Sequence, residues 1–438
     1  MLFFPVAMTL FSASLLAFVE RLFLARYSME GMEVALTVSY FSRLFYLPCM
    51  AVPLMSQAIM SYQVGSGEKR LVGACTWQMI WFCLLSALIT IPLGRGLGPS
   101  YFSGTPITSL ALPYFNLLLP LFFLYPLNAA FSAFYIAIGK ARFYLISNLT
   151  AHVLHLGLCY LFIFGWGEWI HPMGVMGAGL ATLIAECGLC FLLLTNFLKE
   201  SLITEYQTNN WRFKLSLFWK YTFPGLVRFG TRIIVTLSWA FLTWYVSHSG
   251  EGFLLAFSVG GTLAIFITFV GEALSQIVTT MASRFLGARE FYSLGKLYHA
   301  GVFVWIAFSL LLAVPTLLFP NATMAFLFSP EKCLEMGSMI VPLLLGTWVY
   351  FAVFTFNQIP MGFVFAHQDV KYMIIFACIT WAETLSVYKM IESHVAPAEY
   401  LWGMIACAIL FWETALLYLK MRSLNKSVLG NAITSEMG

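Results

Sequence analysis

Carboxylates inside apolar segments are the side chains of this sequence most able to do chemistry. In LLAFVERLFLA, residues 15–25, Glu20 and Arg21 are adjacent in an otherwise apolar run. Four more carboxylates have apolar surroundings: Glu186, Glu272, Glu383 and Glu413. An ionisable group at the centre of a membrane helix costs at least about 2.5–3.5 kcal/mol, so it usually marks a transport pathway or a paired site. For the last two acids and Glu186, pairing with arginines that locks helices together stays open as an alternative.

Arginines also occur inside apolar segments, at Arg21, Arg43, Arg228 and Arg232. Arg228 and Arg232 are four residues apart, so they share one face of a helix. A guanidinium group binds carboxylate or phosphate through two parallel hydrogen bonds. These arginines therefore indicate a surface that attracts anions, and we expect Glu272 to neutralise one of them.

Other polar residues give weaker signals. His152 and His155 are three residues apart and could share a metal ion, but no acid is near them in the sequence, so a buried, hydrogen-bonded histidine is favoured. The CGLC motif at residues 187–190 has the spacing of a redox or metal pair, yet it lies in an apolar helix without a second pair. We expect neither a metal site nor a cofactor. Asn357 and Gln358 are expected to line a cavity in the second half of the chain.

The composition indicates the class of protein. Hydrophobic residues make up 61% of the 438 residues and charged residues 10%, with a mean hydropathy of +0.85. A soluble domain has about 25% charged residues, so this chain must place most of its surface in lipid. The sequence has no basic stretch interleaved with aromatic residues, which argues against nucleic-acid binding. It also has no GxxxxGK[ST] motif, which argues against ATP hydrolysis.

Apolar segments bounded by Gly, Pro or charge are long enough to span a bilayer, which needs about 20 residues. Twelve of them lie near residues 3–26, 35–63, 72–94, 110–138, 143–165, 173–197, 217–246, 253–283, 297–319, 335–365, 371–391 and 398–420. The sequence therefore predicts an all-α polytopic membrane protein with twelve transmembrane helices. The first segment lacks the basic n-region and cleavage site of a signal peptide, so we expect it to be retained.

Basic residues distinguish the two sides of the membrane. If the loops after even-numbered segments and the C-terminal tail share one side, that side holds 15 of the 23 Lys and Arg residues, and the other side holds 4. Cytoplasmic loops of membrane proteins carry such an excess. We therefore expect a multi-pass protein of the plasma membrane (the inner membrane of a bacterium) with both termini in the cytoplasm.

The two halves of the chain resemble each other. Gly65 and Gly287 end similar second and eighth segments, and Pro5 and Pro224 stand near the starts of the first and seventh. Parallel halves related by a pseudo-two-fold axis along the membrane normal are typical of transporters, with the substrate path between them. The sequence predicts an N-terminal six-helix bundle at 1–198, a cytoplasmic linker at 199–216, a C-terminal six-helix bundle at 217–422 and a cytoplasmic tail at 423–438.

Several motifs follow one another along nearly the whole chain in the order of a known family. They are FVERLFLARYSMEGMEVAL in the first segment, SYQVGSGE and RFLGARE at the ends of the second and eighth, AFYIAIGKARFYLISN between the fourth and fifth, and HPMGVMGAGLATLI, residues 171–184, in the sixth. Together they resemble the multidrug and toxic compound extrusion (MATE) family of the MOP flippase superfamily. The resemblance implies a secondary active exporter with two six-helix bundles, and not an enzyme.

The resemblance also implies a cation-coupling site. Glu20 stands at the family's first-helix carboxylate, His155 and Cys159 at fifth-helix positions that are Asn and Asp in the family, and Thr182 at the sixth-helix residue that completes the cluster. Na⁺ requires several hard oxygen ligands, and a thiol is a poor substitute. Removal from water favours a protonated carboxyl group, and histidine titrates near neutral pH. These departures favour H⁺ over Na⁺ as the coupling ion.

The family architecture further implies a substrate cleft lined by helices one, two, seven and eight. We assign to this cleft Arg43, Arg228, Arg232, Glu272, Asn357 and Gln358. Many relatives carry an acid in the seventh helix, which suits cationic drugs, whereas this chain has two arginines there.

The predicted function is therefore cation-coupled antiport of drugs or other organic solutes. We expect a monomer in the lipid bilayer that takes a small-molecule substrate. A flippase or exporter of an anionic substrate, either lipid-linked or an organic acid, stays open as the alternative. An intramembrane enzyme is disfavoured because the short loops offer no acid/base pair or metal cluster.

Overall fold

The computed structural model describes residues 3–103, 108–327 and 337–420, and these are almost entirely helical. The helices before residue 249 are α1 (Phe3–Tyr27), α2 (Met29–Gly65), α3 (Arg70–Phe102), α4 (Thr108–Leu118), α5 (Leu121–Ala137), α6 (Ala141–Phe164), α7 (Val175–Phe197), α8 (Glu200–Tyr206) and α9 (Leu215–His248). Those after it are α10 (Glu251–Ile267), α11 (Phe269–Ala288), α12 (Phe291–Ala313), α13 (Pro320–Leu327), α14 (Ile340–Ala366), α15 (Val370–Glu392) and α16 (Leu401–Ile409). Two π-helical turns, Val314–Leu318 and Leu410–Thr414, extend α12 and α16.

Eleven helices in the described part of the chain are long and apolar enough to cross a membrane. The predicted class, an all-α polytopic membrane protein, is confirmed. The predicted segment 253–283 differs from the expectation, because it is broken at Thr268 into α10 and α11. Helix α2 begins earlier than the apolar pattern predicted, because the Ser28 side chain accepts a hydrogen bond from the Gly31 amide at 3.2 Å and caps it.

The chain separates into two compact units, Met1–Arg232 and Ile233–Gly438. The division falls inside α9, so this helix contributes its first half to the N-terminal unit and its second half to the C-terminal unit. The predicted boundaries of the linker and of the two bundles stay predictions.

In the N-terminal unit α2 packs against α3 and α5, and α6 packs between α1 and α7. The core between these helices is aromatic, with Phe115, Phe122, Phe134 and Phe197 fully buried. Small residues bring α6 and α7 close together: a Cβ atom at Gly177 would lie 2.6 Å from the carbonyl carbon of Phe162. The glycine-rich motif of residues 171–184 is therefore a contact surface that sets the spacing of these helices.

The segment between α8 and α9 is held against α3 by side chains of α3 that bond to its backbone. Trp77 and Trp81 donate from their indole nitrogens to the carbonyl oxygens of Thr208 and Trp211 at 2.6 and 2.9 Å. Lys69 lies 2.8 Å from Glu205, and its hydrogen bond lowers the pKa of that carboxyl group. Both side chains of this ion pair are about half exposed, so the indole bonds hold the segment more firmly than the ion pair.

In the C-terminal unit α14 is the central helix, packed against α10, α11, α12 and α16. Trp402, at the start of α16, is buried against Gly260 and donates to the Ala256 carbonyl at 3.0 Å. Trp348 of α14 donates to Ser309 of α12 at 2.9 Å. Large side chains with a hydrogen-bonding end thus fix the helices around α14.

The repeat seen in the sequence is also visible in the structure, where the same type of turn occurs at corresponding positions of the two halves. Gly139 between α5 and α6 and Gln368 between α14 and α15 both have left-handed backbones, with φ of 82° and 53°. In each turn the residue that follows donates its amide to the carbonyl five residues before it, Lys140 to Tyr135 at 2.8 Å and Asp369 to Val364 at 3.3 Å. This is the hydrogen bond of a Schellman motif. The two halves therefore share local structure at positions 229 residues apart.

Replacement of Gly177 by valine is expected to lower stability, because the new side chain would overlap the Phe162 backbone. Overpacking costs about 1–3 kcal/mol, so the thermal midpoint in detergent, measured by fluorescence-detected size exclusion, should fall clearly. Gly188→Val on the same helix is the control, since a Cβ there meets nothing within 4 Å among the described residues. Equal midpoints for the two variants would contradict the assigned contact.

Candidate functional site

Three helices of the N-terminal unit bring the predicted coupling residues together. Glu20 lies on α1, His155 and Cys159 on α6, and Thr182 on α7. Helix α6 packs against both of the others, and its two residues are four apart, so they share one face. The four residues assigned from the resemblance therefore lie side by side.

The imidazole of His155 is the centre of this cluster. Its Nε2 atom lies 3.1 Å from the Cys159 sulfur, 3.2 Å from the Thr182 hydroxyl and 3.8 Å from Oε2 of Glu20. The His155 and Glu20 side chains are only 4% and 20% exposed. One ring nitrogen thus faces a carboxylate, a hydroxyl and a thiol at a place enclosed by α1, α6 and α7.

The hydrogen bonds indicate where a proton of this cluster resides. The Thr182 hydroxyl donates to the Ala178 carbonyl at 2.9 Å, so its only proton is used within α7. In that arrangement Thr182 can only accept from His155, which requires a proton on Nε2. This N–H then also faces the Glu20 carboxylate. A pair that holds one additional proton on either Glu20 or His155 is electrically neutral as a whole, which is the favourable state out of water.

The donor set suits a proton better than Na⁺. It contains the Glu20 and Thr182 oxygens, one ring nitrogen and one thiol. A hard cation prefers a shell of several oxygens, which this set does not supply.

A second polar cluster lies further along the same face of α7. Glu186 is one helical turn after Thr182, and its Oε2 accepts from the Asn128 amide at 3.4 Å. Asn128 in turn accepts from the Tyr144 hydroxyl at 3.0 Å, and Asn148 donates to the Tyr144 carbonyl at 2.8 Å. Sequence reasoning identified Glu186 as a membrane carboxylate but missed Asn128 and Tyr144. The spacing of four residues from Thr182 could have linked Glu186 to the coupling site.

The arginines assigned to the cleft all lie in the N-terminal unit. Arg43 is exposed on α2, with its guanidinium 5.6 Å from the centre of the Tyr40 ring. Arg228 and Arg232 lie on α9, half-buried and exposed respectively. One turn before Arg228, Gly225 packs directly against Val52 of α2. The helices that carry the arginines are therefore neighbours, and their role in a cleft stays a prediction.

The other cleft residues lie in the C-terminal unit. Glu272 is exposed on α11, Gln358 is half-buried on α14, and Asn357 is fully buried and accepts from the Thr414 hydroxyl at 2.9 Å. Asn357 thus lies in the interior of its unit, beside α16. The assignment of these three residues to a cleft also stays a prediction.

Comparison with known proteins identifies the class. The family model MatE matches residues 5–161 and again residues 229–381, more than half of the chain. The chain therefore belongs to the MATE family of membrane transporters. The double match agrees with the repeat seen in the sequence.

Solved structures of transporters share this fold. A MATE in complex with MaL6 has a TM-score of 0.87 at 13% identity, covering 98% of this chain and 96% of that one. An outward-facing multidrug resistance MATE transporter has a TM-score of 0.86 at 14% identity, covering 98% and 95%. A MOP superfamily transporter from Pyrococcus furiosus, for which a reversed polarity of the binding pocket suggests a different function, has a TM-score of 0.83 at 15% identity, covering 98% and 95%. No curated protein matches the chain.

Thr182→Val is expected to destabilise the N-terminal unit by about 1 kcal/mol, since it leaves a buried imidazole N–H without its hydroxyl partner. Thr195→Val on the same helix is the control, because Thr195 is exposed and bonds only to the carbonyl of Leu192. Its effect should stay within about 0.5 kcal/mol. Denaturant unfolding in detergent measures both variants, and a Thr182→Val protein as stable as the control would exclude the proposed bond.

Proposed function

We propose that this transporter exports organic solutes in exchange for protons that bind at Glu20 and His155. The observation that carries the proposal is the approach of the Glu20 carboxylate to within 3.8 Å of a buried imidazole nitrogen. Two groups that share a proton in a poorly hydrated place change their combined charge when that proton binds or leaves. Such a change can favour one conformation of the surrounding helices over another.

The coupling argument requires a difference in proton affinity between two states of the transporter. In one state Glu20 faces His155 and the pair holds a proton. In a state that hydrates this part of α1, the same proton is released to water. The gradient then drives the cycle, because a ligand shifts a two-state equilibrium only by its differential affinity for the two states.

The relatives support the broader assignment to export. The outward-facing structure that shares this fold is a multidrug resistance transporter. We infer for this chain a monomeric protein of the plasma membrane, in a bacterium the inner membrane, with both termini in the cytoplasm. The excess of basic residues in loops after even-numbered segments supports this orientation.

Glu20→Gln is expected to reduce transport driven by a pH gradient at least about tenfold, which corresponds to about 1.4 kcal/mol of lost coupling. Transport into proteoliposomes is measured with ethidium as an organic cation and carboxyfluorescein as an organic anion, under an imposed pH or Na⁺ gradient. Glu30→Gln is the matched control, because Glu30 is exposed at the start of α2; its rate should stay within a factor of about two. Transport driven by Na⁺ alone, or full activity of Glu20→Gln, would disprove proton coupling at this residue.

A second candidate function is export of an anionic solute or lipid-linked anion. Three arginines on neighbouring helices of the N-terminal unit favour it, because guanidinium groups recognise carboxylate and phosphate. A MOP superfamily relative with a pocket of reversed polarity shares the fold. The charge of the substrate therefore needs a test of its own, separate from the test of the coupling ion.

Arg228→Gln is expected to weaken transport of carboxyfluorescein and leave ethidium unaffected if the substrate is anionic. Loss of one hydrogen bond to a charged group costs about 1.5–3 kcal/mol, which corresponds to roughly a tenfold to hundredfold rise in KM. Arg142→Gln, at an exposed arginine near the start of α6, controls for net charge. Export of ethidium but not of carboxyfluorescein, or carboxyfluorescein export that Arg228→Gln leaves unchanged, would reject this second function.

A further inference from the structure

Two carboxylates lie buried in the C-terminal unit, whereas Glu20 belongs to the N-terminal unit. Glu383 is on α15 and Glu413 is in the π-helical turn Leu410–Thr414, and each is only 8% exposed. One oxygen of Glu383 has no hydrogen-bond partner among the described residues. Uncompensated burial of two negative charges is very unfavourable, so this arrangement requires a ligand or a proton.

The two helices bring these acids toward each other. The π-helical turn packs against α15, and the Trp412 indole donates to the Ser386 hydroxyl at 3.0 Å. Trp412 is adjacent to Glu413, and Ser386 is three residues after Glu383, so this bond joins the two elements close to both acids. The two carboxyl groups interact electrostatically. A π-helical turn inside a helix is frequently found at functional sites, and here it contains one of the acids.

Asn357 supplies the observation that points to a ligand. It is fully buried on α14, its Oδ1 accepts from the Thr414 hydroxyl at 2.9 Å, and its Nδ2 has no partner of good geometry among the described residues. The amide lies beside the Glu413 carboxyl group. Because its oxygen is occupied by a hydroxyl donor, its two N–H groups are left for the acids.

The N-terminal unit contains a similar pair of an asparagine and a carboxylate, which supports this orientation of the Asn357 amide. Asn128 precedes Asn357 by 229 residues, the separation of the two left-handed turns. Its oxygen also accepts from a hydroxyl, that of Tyr144, and its nitrogen donates to Glu186 at 3.4 Å. Each half thus places an asparagine beside a carboxylate, Glu186 of α7 in the first half and Glu413 of the π-helical turn in the second. Only the C-terminal half adds a second carboxylate, Glu383.

Two tyrosines interact with the pair of acids. Tyr350 on α14 interacts electrostatically with both acids and with the exposed Glu272 of α11. Tyr372 on α15 interacts with Glu413. The ion pair described in this unit, Lys420 with Asp369 at 2.7 Å, involves neither acid. The named neighbours are thus neutral hydroxyls and one further carboxylate, and none of them supplies a positive charge to the pair.

We propose that Glu383, Glu413 and Asn357 form a second proton-binding site, in which the two carboxyl groups share one exchangeable proton. Two carboxylates out of water do not both ionise when they are neighbours. The shared proton leaves a single negative charge, to which Asn357 donates. A proton fits this site better than Na⁺, because the amide presents N–H donors and not an oxygen ligand to the acids.

Infrared spectroscopy of the full chain in lipid films tests the site without any transport assay, so its outcome is independent of Glu20. The wild type is expected to show, near neutral pH, a carbonyl band of a protonated carboxyl group that shifts in D₂O, is lost at alkaline pH and persists in Glu20→Gln. Glu383→Gln, Glu413→Gln and the double variant should each lose this same single band, since removal of one acid lets the other ionise. Glu392→Gln, at an exposed acid on α15, should keep it.

Two results would overturn the proposal at this step. If the double variant loses two protonated bands, each acid holds its own proton. If no variant loses a band, the pair holds none. The single variants keep the test valid if the double variant does not fold.

Addition of NaCl at constant pH, with choline chloride as the control, separates the proton from a competing cation. The band is expected to be unchanged by either salt. Its loss in NaCl alone would identify a Na⁺ site and overturn the assignment to a proton.

Discussion

The cost of removing a polar group from water is the constraint on which the rest of this structure depends. In a helical membrane protein each buried polar group must find its partner within the protein. Buried threonine hydroxyls meet this requirement by bonding to a carbonyl one turn earlier, as Thr76, Thr279 and Thr347 do. Indole nitrogens meet it across helices, as Trp305 does with the Ala352 carbonyl at 2.8 Å. Carboxylates have no such local solution, so they must lie beside one another, beside a base or beside an amide.

This constraint explains why the chemistry of the protein is concentrated in two places. In the N-terminal unit a base, His155, lies beside Glu20, and an amide, Asn128, lies beside Glu186. In the C-terminal unit Glu413 lies beside an amide, Asn357, and interacts with a second acid, Glu383. Close helix packing at small residues such as Gly177 keeps these groups within reach of each other. The proposed proton sites depend on this close packing of helices.

Much of the fold could be predicted from the sequence, because the length of an apolar segment indicates whether it can span a bilayer. Patterns of this kind do not report interruptions, and the break at Thr268 within the segment 253–283 was missed. The early start of α2 was missed because a serine cap, and not hydrophobicity, determines where that helix begins. For the site, the resemblance selected Glu20, His155, Cys159 and Thr182, which the fold brings together. Asn128 was not selected, since a single amide in an apolar helix gives no periodic signal.

The sequence by itself determined the membrane location, the helical class, the internal repeat and the family, since each depends on composition or on order along the chain. Only the tertiary structure decided which polar groups meet. Glu383 and Glu413 are 30 residues apart on two different helices, and their proximity depends on a π-helical turn and on the bond between Trp412 and Ser386. Residues on different helices come together through packing, and one chain's pattern of apolar and polar residues does not specify which faces will touch.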